Sequence, residues 1–373
     1  MLLLDTMFGE KVIRPPSVPK IWIDSAANLL GRDYSDFFDD PLYAARTIVE
    51  AAIACNSDGA RIFLFPTRDV QKERDSYVHM RGTKRLGRID IDGGWATIFD
   101  DPGEIDFSDP SVLICYPFYT SSESIITNMA DIKKIVPPSL QTYHELYGDY
   151  VDSALDIFDD KICSIGACIS GTLSFCVYMM GFEDALMSLY TEPEMIKALI
   201  ERGIELSITQ AKFFIDKGIK VIRYNDSTAN MNVISPEMWK TFIKPYIMEF
   251  CTQIHEYCPD CRIYCHICGN IKPIVNDLVE TGLDCIGCLD PLGSKSTVGE
   301  IRQIVGNDYM LMGGVDTLSF INKSPEMVRL EAERCIHEGF IDHRNYAIGS
   351  GCNIPRTAKI ETLLALAEAS RNV

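Results

Sequence analysis

The chain has 373 residues, 47% of them hydrophobic, and a formal net charge of −18. That length supports a large core in one big domain or two ordinary ones, and the acidity argues against nucleic acid and anionic membranes as partners. Asp5 breaks the apolar start at once, no uncharged apolar run reaches the roughly 20 residues of a membrane helix, and fourteen cysteines without an export signal read as reduced thiols of a cytoplasmic protein.

In chain order, a helical pattern at 41–55 leads into a strand at 60–66. Residues 67–110 form an excursion, in which 87–98 reads as a hairpin turning near Asp92-Gly93-Gly94. Residues 112–116 are a candidate extra strand. Strands then follow at 162–167, 220–224, 262–266, 285–288, 309–313 and 346–349. They alternate with helical patterns at 172–188, 193–216, 236–256, 271–281, 297–305, 325–338 and 357–370. Ser235-Pro236-Glu237 and Ser324-Pro325-Glu326 each place Ser at the N-cap, Pro at the first helical position and an acid in the first turn. Thr191-Glu192-Pro193-Glu194 reads similarly. Strand–helix alternation predicts a parallel sheet. Seven or eight strands fit an α/β fold of the (β/α)8 TIM barrel type, with an N-terminal helical extension (1–58), a barrel (59–373) and a hairpin excursion. An open doubly wound sheet is the alternative, but no G-x-G-x-x-G follows an early strand.

Chemistry concentrates around His266 and Cys268. They are two apart, so on a strand their side chains point the same way. Cys352 lies in a Gly-rich loop after the last strand and offers a third ligand. Three N/S ligands with one open position describe a catalytic zinc. In a barrel the C-terminal strand ends carry the site. Asp226, in Tyr224-Asn225-Asp226-Ser227, also follows a strand, so four groups from three strands converge. Asp290 and Asp316 follow strands in the same way. Cys258–Cys261 and Cys285–Cys288 suggest a four-cysteine site, but one pair precedes a strand and Cys288 ends the next. About 15 Å of strand separates those levels, against a Zn–S bond of about 2.3 Å. Cys265 points to the opposite face from His266 and belongs to the core. His79 fails the D-x-H-x-x-G pattern of corrinoid-binding modules, because position 77 is Tyr.

Residues 180–195, from Met180-Gly181-Phe182-Glu183 to Glu192-Pro193-Glu194-Met195, resemble a hallmark segment of the uroporphyrinogen decarboxylase superfamily. So do 235–246, beginning Ser235-Pro236-Glu237-Met238-Trp239, and His266-Ile267-Cys268-Gly269-Asn270. The likeness is collinear from about residue 14 to the end. It implies a (β/α)8 barrel and either of two activities: metal-free porphyrinogen decarboxylation, or zinc-dependent methyl transfer with a corrinoid protein. Decarboxylases carry W-x-M-R-Q-A-G-R, whose arginines meet substrate carboxylates, whereas the corresponding run here, which begins at Trp22 and includes Asp24 and Asn28, holds no arginine. An acid in that run repels carboxylates where the arginines would attract them. Their C-terminal histidine is replaced by Cys352. The methyltransferase branch has H-x-C and a distant Cys as zinc ligands, matched by His266, Cys268 and Cys352. The resemblance therefore implies Zn2+, a partner corrinoid protein, and a small methyl donor (ether, amine or thioether) or thiol acceptor. Asn225, Asp226, Asp290 and Asp316 are the expected substrate contacts, with Asp226 also a catalytic candidate. Uroporphyrinogen decarboxylase is the alternative, and an epoxide–thiol transferase a further one. The superfamily includes dimers, so a homodimer is an open expectation.

Overall fold

The computed structural model describes residues 1–373 except 75, 92, 93 and 159, and except the side chain of 288. Among these residues the chain forms twelve strands. They are β1 (Gly59–Ile62), β2 (Asp69–Glu73), β3 (Ser76–Arg81), β4 (Lys84–Asp90), β5 (Ala96–Phe99), β6 (Tyr119–Ser121), β7 (Cys163–Ala167), β8 (Val221–Asn225), β9 (Arg262–His266), β10 (Cys285–Leu289), β11 (Met310–Val315) and β12 (Tyr346–Ser350). Seven make one sheet in the order β1-β7-β8-β9-β10-β11-β12, with every neighbouring pair parallel.

The sheet curls around its own core. Ile165 on β7, Val221 on β8, Tyr264 on β9, Met312 on β11 and Ala347 on β12 meet in one cluster with Leu3 and Met7 of helix Leu2–Met7. Period-2 alternation sends the intervening residues, such as Ile222 and Cys265, to a second, larger cluster shared with the surrounding helices. Burying a side chain of this size contributes about 1.5–3 kcal/mol, so a one-residue slip of register is strongly disfavoured.

Seven strands, not eight, make up this sheet. The candidate strand at 112–116 is instead helix Pro110–Ile114 followed by a 3-10 turn at Tyr116–Phe118. The cause is local: the Asp109 side chain accepts from Ser111 N and Pro110 occupies the first helical position, a start signal that outweighs the β-branched content. The extended run 16–20 lies along β12. Ile348 N donates to Pro16 O and Val18 N donates to Ile348 O, each at 2.8 Å. On its other side Ser17 O accepts from Asp58 N, just before β1, at 2.8 Å.

Most helices follow the expected pattern. Helix Pro193–Asp216 has the expected bounds, and the Ser235 and Ser324 hydroxyls accept from Met238 N and Met327 N. Glu192, however, makes no side-chain cap bond. The pattern at 172–188 is two helices, Leu173–Met180 and Phe182–Thr191, broken at Gly181 with φ +80°. The pattern at 236–256 is likewise two helices, Pro236–Phe242 and Lys244–Tyr257. The excursion supplies four strands of a second sheet, β2-β3-β4-β5-β6, whose last strand lies beyond residue 110. It includes the expected hairpin as β4 and β5, paired from Gly87↔Phe99 to Asp90↔Ala96. Asp92 and Gly93 of its turn lie outside the described residues. No helix among the described residues is long and apolar enough to cross a membrane.

Candidate metal centre

Strand β9 sets the first ligand. Tyr264 and His266 share its inner face. Tyr264 fills the interior core, and its hydroxyl accepts from Arg61 Nε at 2.7 Å. One step further along the strand, His266 is held at the rim and is 1% exposed. The chain then turns through Gly269, at φ +92°, where an added Cβ would lie 2.8 Å from Asn230 Cγ. Only glycine fits both constraints, and the turn leaves Cys268 beside His266. Cys352 arrives from the loop after β12. Gly351 N donates to Val315 O at 2.8 Å, and a Cβ at Gly351 would lie 2.8 Å from Asp290 Cα. This close packing presses the loop onto the end of β10.

His266, Cys268 and Cys352 thus bring three ligand atoms within 4.8 Å of one another, and among the described residues no other group of His, Cys, Asp and Glu does this. Four-coordinate zinc with bonds of about 2.0–2.3 Å puts its ligand atoms roughly 3.5–4 Å apart, so a small contraction closes the set. The chemistry of the donors agrees. One imidazole and two thiols suit zinc rather than hard cations. The Cys352 thiol is pushed far below the usual thiol range, chiefly by a hydrogen bond from Cys268; burial opposes this, and His266 and Lys20 add to it. The favoured form is therefore the thiolate, which is the ligating form. The His266 nitrogen that faces the thiols is Nε2, 3.9 Å from Cys352 Sγ; the other ring nitrogen, Nδ1, is buried without a hydrogen-bond partner.

The sequence reading missed Lys20. Its Nζ lies 2.7 Å from His266 Nε2, and Cys352 Sγ lies 3.9 Å from the same nitrogen. Lys20 sits on the run that lies along β12, and Ser350 ties it there: Lys20 N donates to Ser350 Oγ at 3.0 Å, and Ser350 Oγ donates to Cys352 O at 2.6 Å. A lone lysine between Pro19 and Ile21 carries no local signal. Arg223 was missed too, although a charged residue inside the apolar strand β8 was a readable signal.

The expected carboxylates are occupied elsewhere. Asp226 is fully buried. Its oxygens accept from Leu173 N at 3.0 Å, from Ser174 N at 2.9 Å and from the Thr172 and Ser174 hydroxyls. It closes the N-terminus of helix Leu173–Met180. Burial raises its pKa against the lowering effect of those donors. Asp290 accepts from Gly269 N at 3.2 Å and Leu292 N at 3.1 Å, so it ties the Cys268 turn to β10. Asp316 accepts from Leu318 N at 2.9 Å. Asn225 donates to Ser170 Oγ at 2.7 Å and faces a cavity of about 220 Å3 whose walls include Lys20, Trp22, Phe118, Arg223 and Asn353. This cavity opens beside the cysteine–histidine group, on the side of Lys20 and Asn353. His79, in the excursion, is held neutral, its pKa pushed down to about 4 by burial and by Arg68 and Arg81.

Residues 120–373 match the family described as Uroporphyrinogen decarboxylase (URO-D). A methylated-thiol–coenzyme M methyltransferase of Methanosarcina mazei is 25% identical over 195 residues, covering 52% of this chain and 49% of that protein. A methylcobamide:CoM methyltransferase (MtaA) of Methanosarcina barkeri is 24% identical over 177 residues, 47% of this chain and 48% of that protein. The chain thus spans about half the length of the curated relatives it matches. The solved structure of a methyltransferase from Methanosarcina mazei superposes with a TM-score of 0.67 at 14% identity, covering 99% of this chain and 97% of that one. This likeness is one of fold.

Proposed function

The chain belongs to the uroporphyrinogen decarboxylase family, and from that premise we propose that it is a zinc-dependent methyltransferase, moving a methyl group between the cobalt of a partner corrinoid protein and a small substrate held at the metal. The observation that carries this is the convergence of His266, Cys268 and Cys352 within 4.8 Å at the C-terminal ends of parallel strands, where barrel-type sheets carry their sites. The names of the two curated relatives, methyltransferases to coenzyme M and from methylcobamide, support the same reading. The absence of any arginine between Trp22 and Leu29, with Asp24 in that run, argues against the porphyrin reading.

His266, Cys268 and Cys352 would hold the ion. Bound zinc supplies a Lewis acid that either lowers the pKa of a substrate thiol or polarises a methylated oxygen, nitrogen or sulfur as leaving group. The rest is the work of the chain. The Gly269 and Gly351 turns fix the two thiols, and Asp290 holds the first turn in place. Asp226 is a positioning residue, anchoring helix Leu173–Met180 beneath Asn225 and Ser170. The cavity next to Lys20 shelters the reacting atoms, and Asn225 and Asn353 offer amide groups to orient a substrate. The corrinoid arrives on its own protein at the open rim.

Metal analysis of purified protein should give close to one zinc per chain. Methyl exchange with free cobalamin, followed by its absorbance, should occur with the intact protein and vanish in Cys352→Ala while the circular dichroism is unchanged. Exchange that persists in Cys352→Ala would end the proposal.

A further inference from the structure

We propose that Cys258 and Cys261 form a redox site separate from the metal centre: a dithiol that exchanges with small disulfides, such as glutathione disulfide, and closes to a reversible bridge. The proposal does not depend on the methyl-transfer reading. It adds a second reactive site at the opposite end of the parallel sheet.

The run from Cys258 to Cys261 is a tight turn between helix Lys244–Tyr257 and β9. Pro259 presets its φ, and Asp260 is a common turn residue. Cys258 N continues the helix by donating to Ile254 O at 2.8 Å, and Cys261 N closes the turn by donating to Cys258 O at 3.0 Å. A turn closed in this way holds its first and last Cα atoms within about 7 Å, close to the roughly 4.4–6.8 Å that a disulfide spans. The two thiols are free and hydrogen-bonded to each other. Arg262 braces the turn: its Nη1 donates to Pro259 O at 3.2 Å and to Cys261 O at 2.7 Å, and its guanidinium stacks on the Phe8 ring at 3.8 Å. The sulfurs thus face each other in a frame that a bond between them hardly disturbs.

Exposure singles out the same pair. Among the cysteines with described side chains only Cys258, Cys268 and Cys352 are not buried, and the last two belong to the metal group. Cys258 is therefore the thiol outside that group that a dissolved disulfide can reach, and buried Cys261 lies against it. Burial, and then the hydrogen bond with Cys258, hold the Cys261 thiol well above the usual range, with Lys220 opposing. This makes Cys258 the attacking sulfur and Cys261 the resolving one. In the exchange the Cys258 thiolate attacks one sulfur of the small disulfide and releases the first thiol. Cys261 then attacks Cys258 Sγ, the protein bridge forms, and the second thiol leaves with the proton of Cys261. The protein gives up two hydrogens and the small disulfide becomes two thiols. Strand β9 keeps this chemistry apart from the metal. Cys261 precedes its first residue and His266 is its last, which sets them roughly 16 Å apart at about 3.3 Å per residue. A bridge inside one turn at the far end leaves the metal ligands in place.

The test is a redox titration read by mass. The zinc-loaded full chain is equilibrated in glutathione buffers of rising disulfide content, free thiols are blocked by alkylation, and the peptide spanning 258–261 is followed by mass spectrometry. That peptide should become unalkylated and two hydrogens lighter, at a glutathione disulfide level at least about tenfold below that which oxidises any other cysteine. Zinc content should stay constant, and dithiothreitol should restore the alkylated form. Cys261→Ser should stop at one glutathione on Cys258, and Cys258→Ser should show neither adduct nor bridge. The proposal is overturned if 258–261 stays reduced or oxidises only after other cysteines. It is equally overturned if the unaltered protein halts at a glutathione adduct, or if oxidation there expels zinc. The titration of the unaltered protein needs no variant, so misfolding of either serine variant does not shield the idea. Absent zinc or absent cobalamin exchange would instead strike the methyl-transfer reading, and the mass of 258–261 would still decide this one.

Discussion

The ends of the parallel strands hold two kinds of polar residue with opposite habits. After β9 and β12, His266, Cys268 and Cys352 face one another, and a buried ring nitrogen has no partner. After β8, β10 and β11, Asp226, Asp290 and Asp316 spend their oxygens on backbone N–H groups of nearby helix starts and turns, Asp226 on the helix that follows β7. Both groups occupy the rim that barrel logic marks as functional. A place at a strand end therefore does not separate a ligand from a cap. What each group faces does: the carboxylates face backbone N–H groups, while an imidazole nitrogen lies 3.9 Å from a stabilised thiolate.

The widest separation is expected for metal binding. Cys268→Ala should weaken zinc, measured by chelator competition, by more than the roughly 10–100-fold that altering an outer-sphere partner costs. Asp226→Ala should leave zinc affinity nearly unchanged. Its effect belongs to stability, where two backbone N–H groups at Leu173 and Ser174 lose their buried acceptor. Urea denaturation should show a loss of about 3 kcal/mol, at 1–3 kcal/mol per orphaned group. Zinc loss without destabilisation in Asp226→Ala would make that residue a ligand and break the contrast. Asp290→Ala stands between the two classes. It removes a helix cap worth about 1 kcal/mol and frees Gly269 N, so zinc should weaken by less than about tenfold, the low end for an outer-sphere change. Asp316→Ala should do least, about 0.5 kcal/mol by denaturation, as fits a partly exposed carboxylate that accepts one bond, from Leu318 N two residues on.

Much of this was legible in the sequence because it is local. The seven parallel strands, the Ser-Pro-Glu helix starts and the Cys265 core assignment follow from periodicity and capping. The His266–Cys268 pair follows from strand phase alone. What escaped is non-local. The run at 16–20, between Pro15 and Ile21, has no apolar alternation. Its role comes from pairing with residues more than 300 positions away, and Lys20 inherits that obscurity. The strand expected at 112–116 was lost to a competing local signal, Asp109-Pro110. The capping role of Asp226 was hidden because its partners, Leu173 and Ser174, belong to a different strand–helix unit.

The pairing of the 16–20 run with β12 has a consequence for biosynthesis. Lys20 N and Ser350 Oγ, bonded in the finished protein, are 330 residues apart. At about 5–20 residues per second, the early stretch leaves the ribosome roughly 15–65 s before the strand that will grip it. Throughout that interval the edge of the 16–20 run that will face β12 has no strand to pair with. Nascent chains stalled before residue 346 should accordingly engage chaperones and display no metal affinity, since the last thiol and the last strand emerge together.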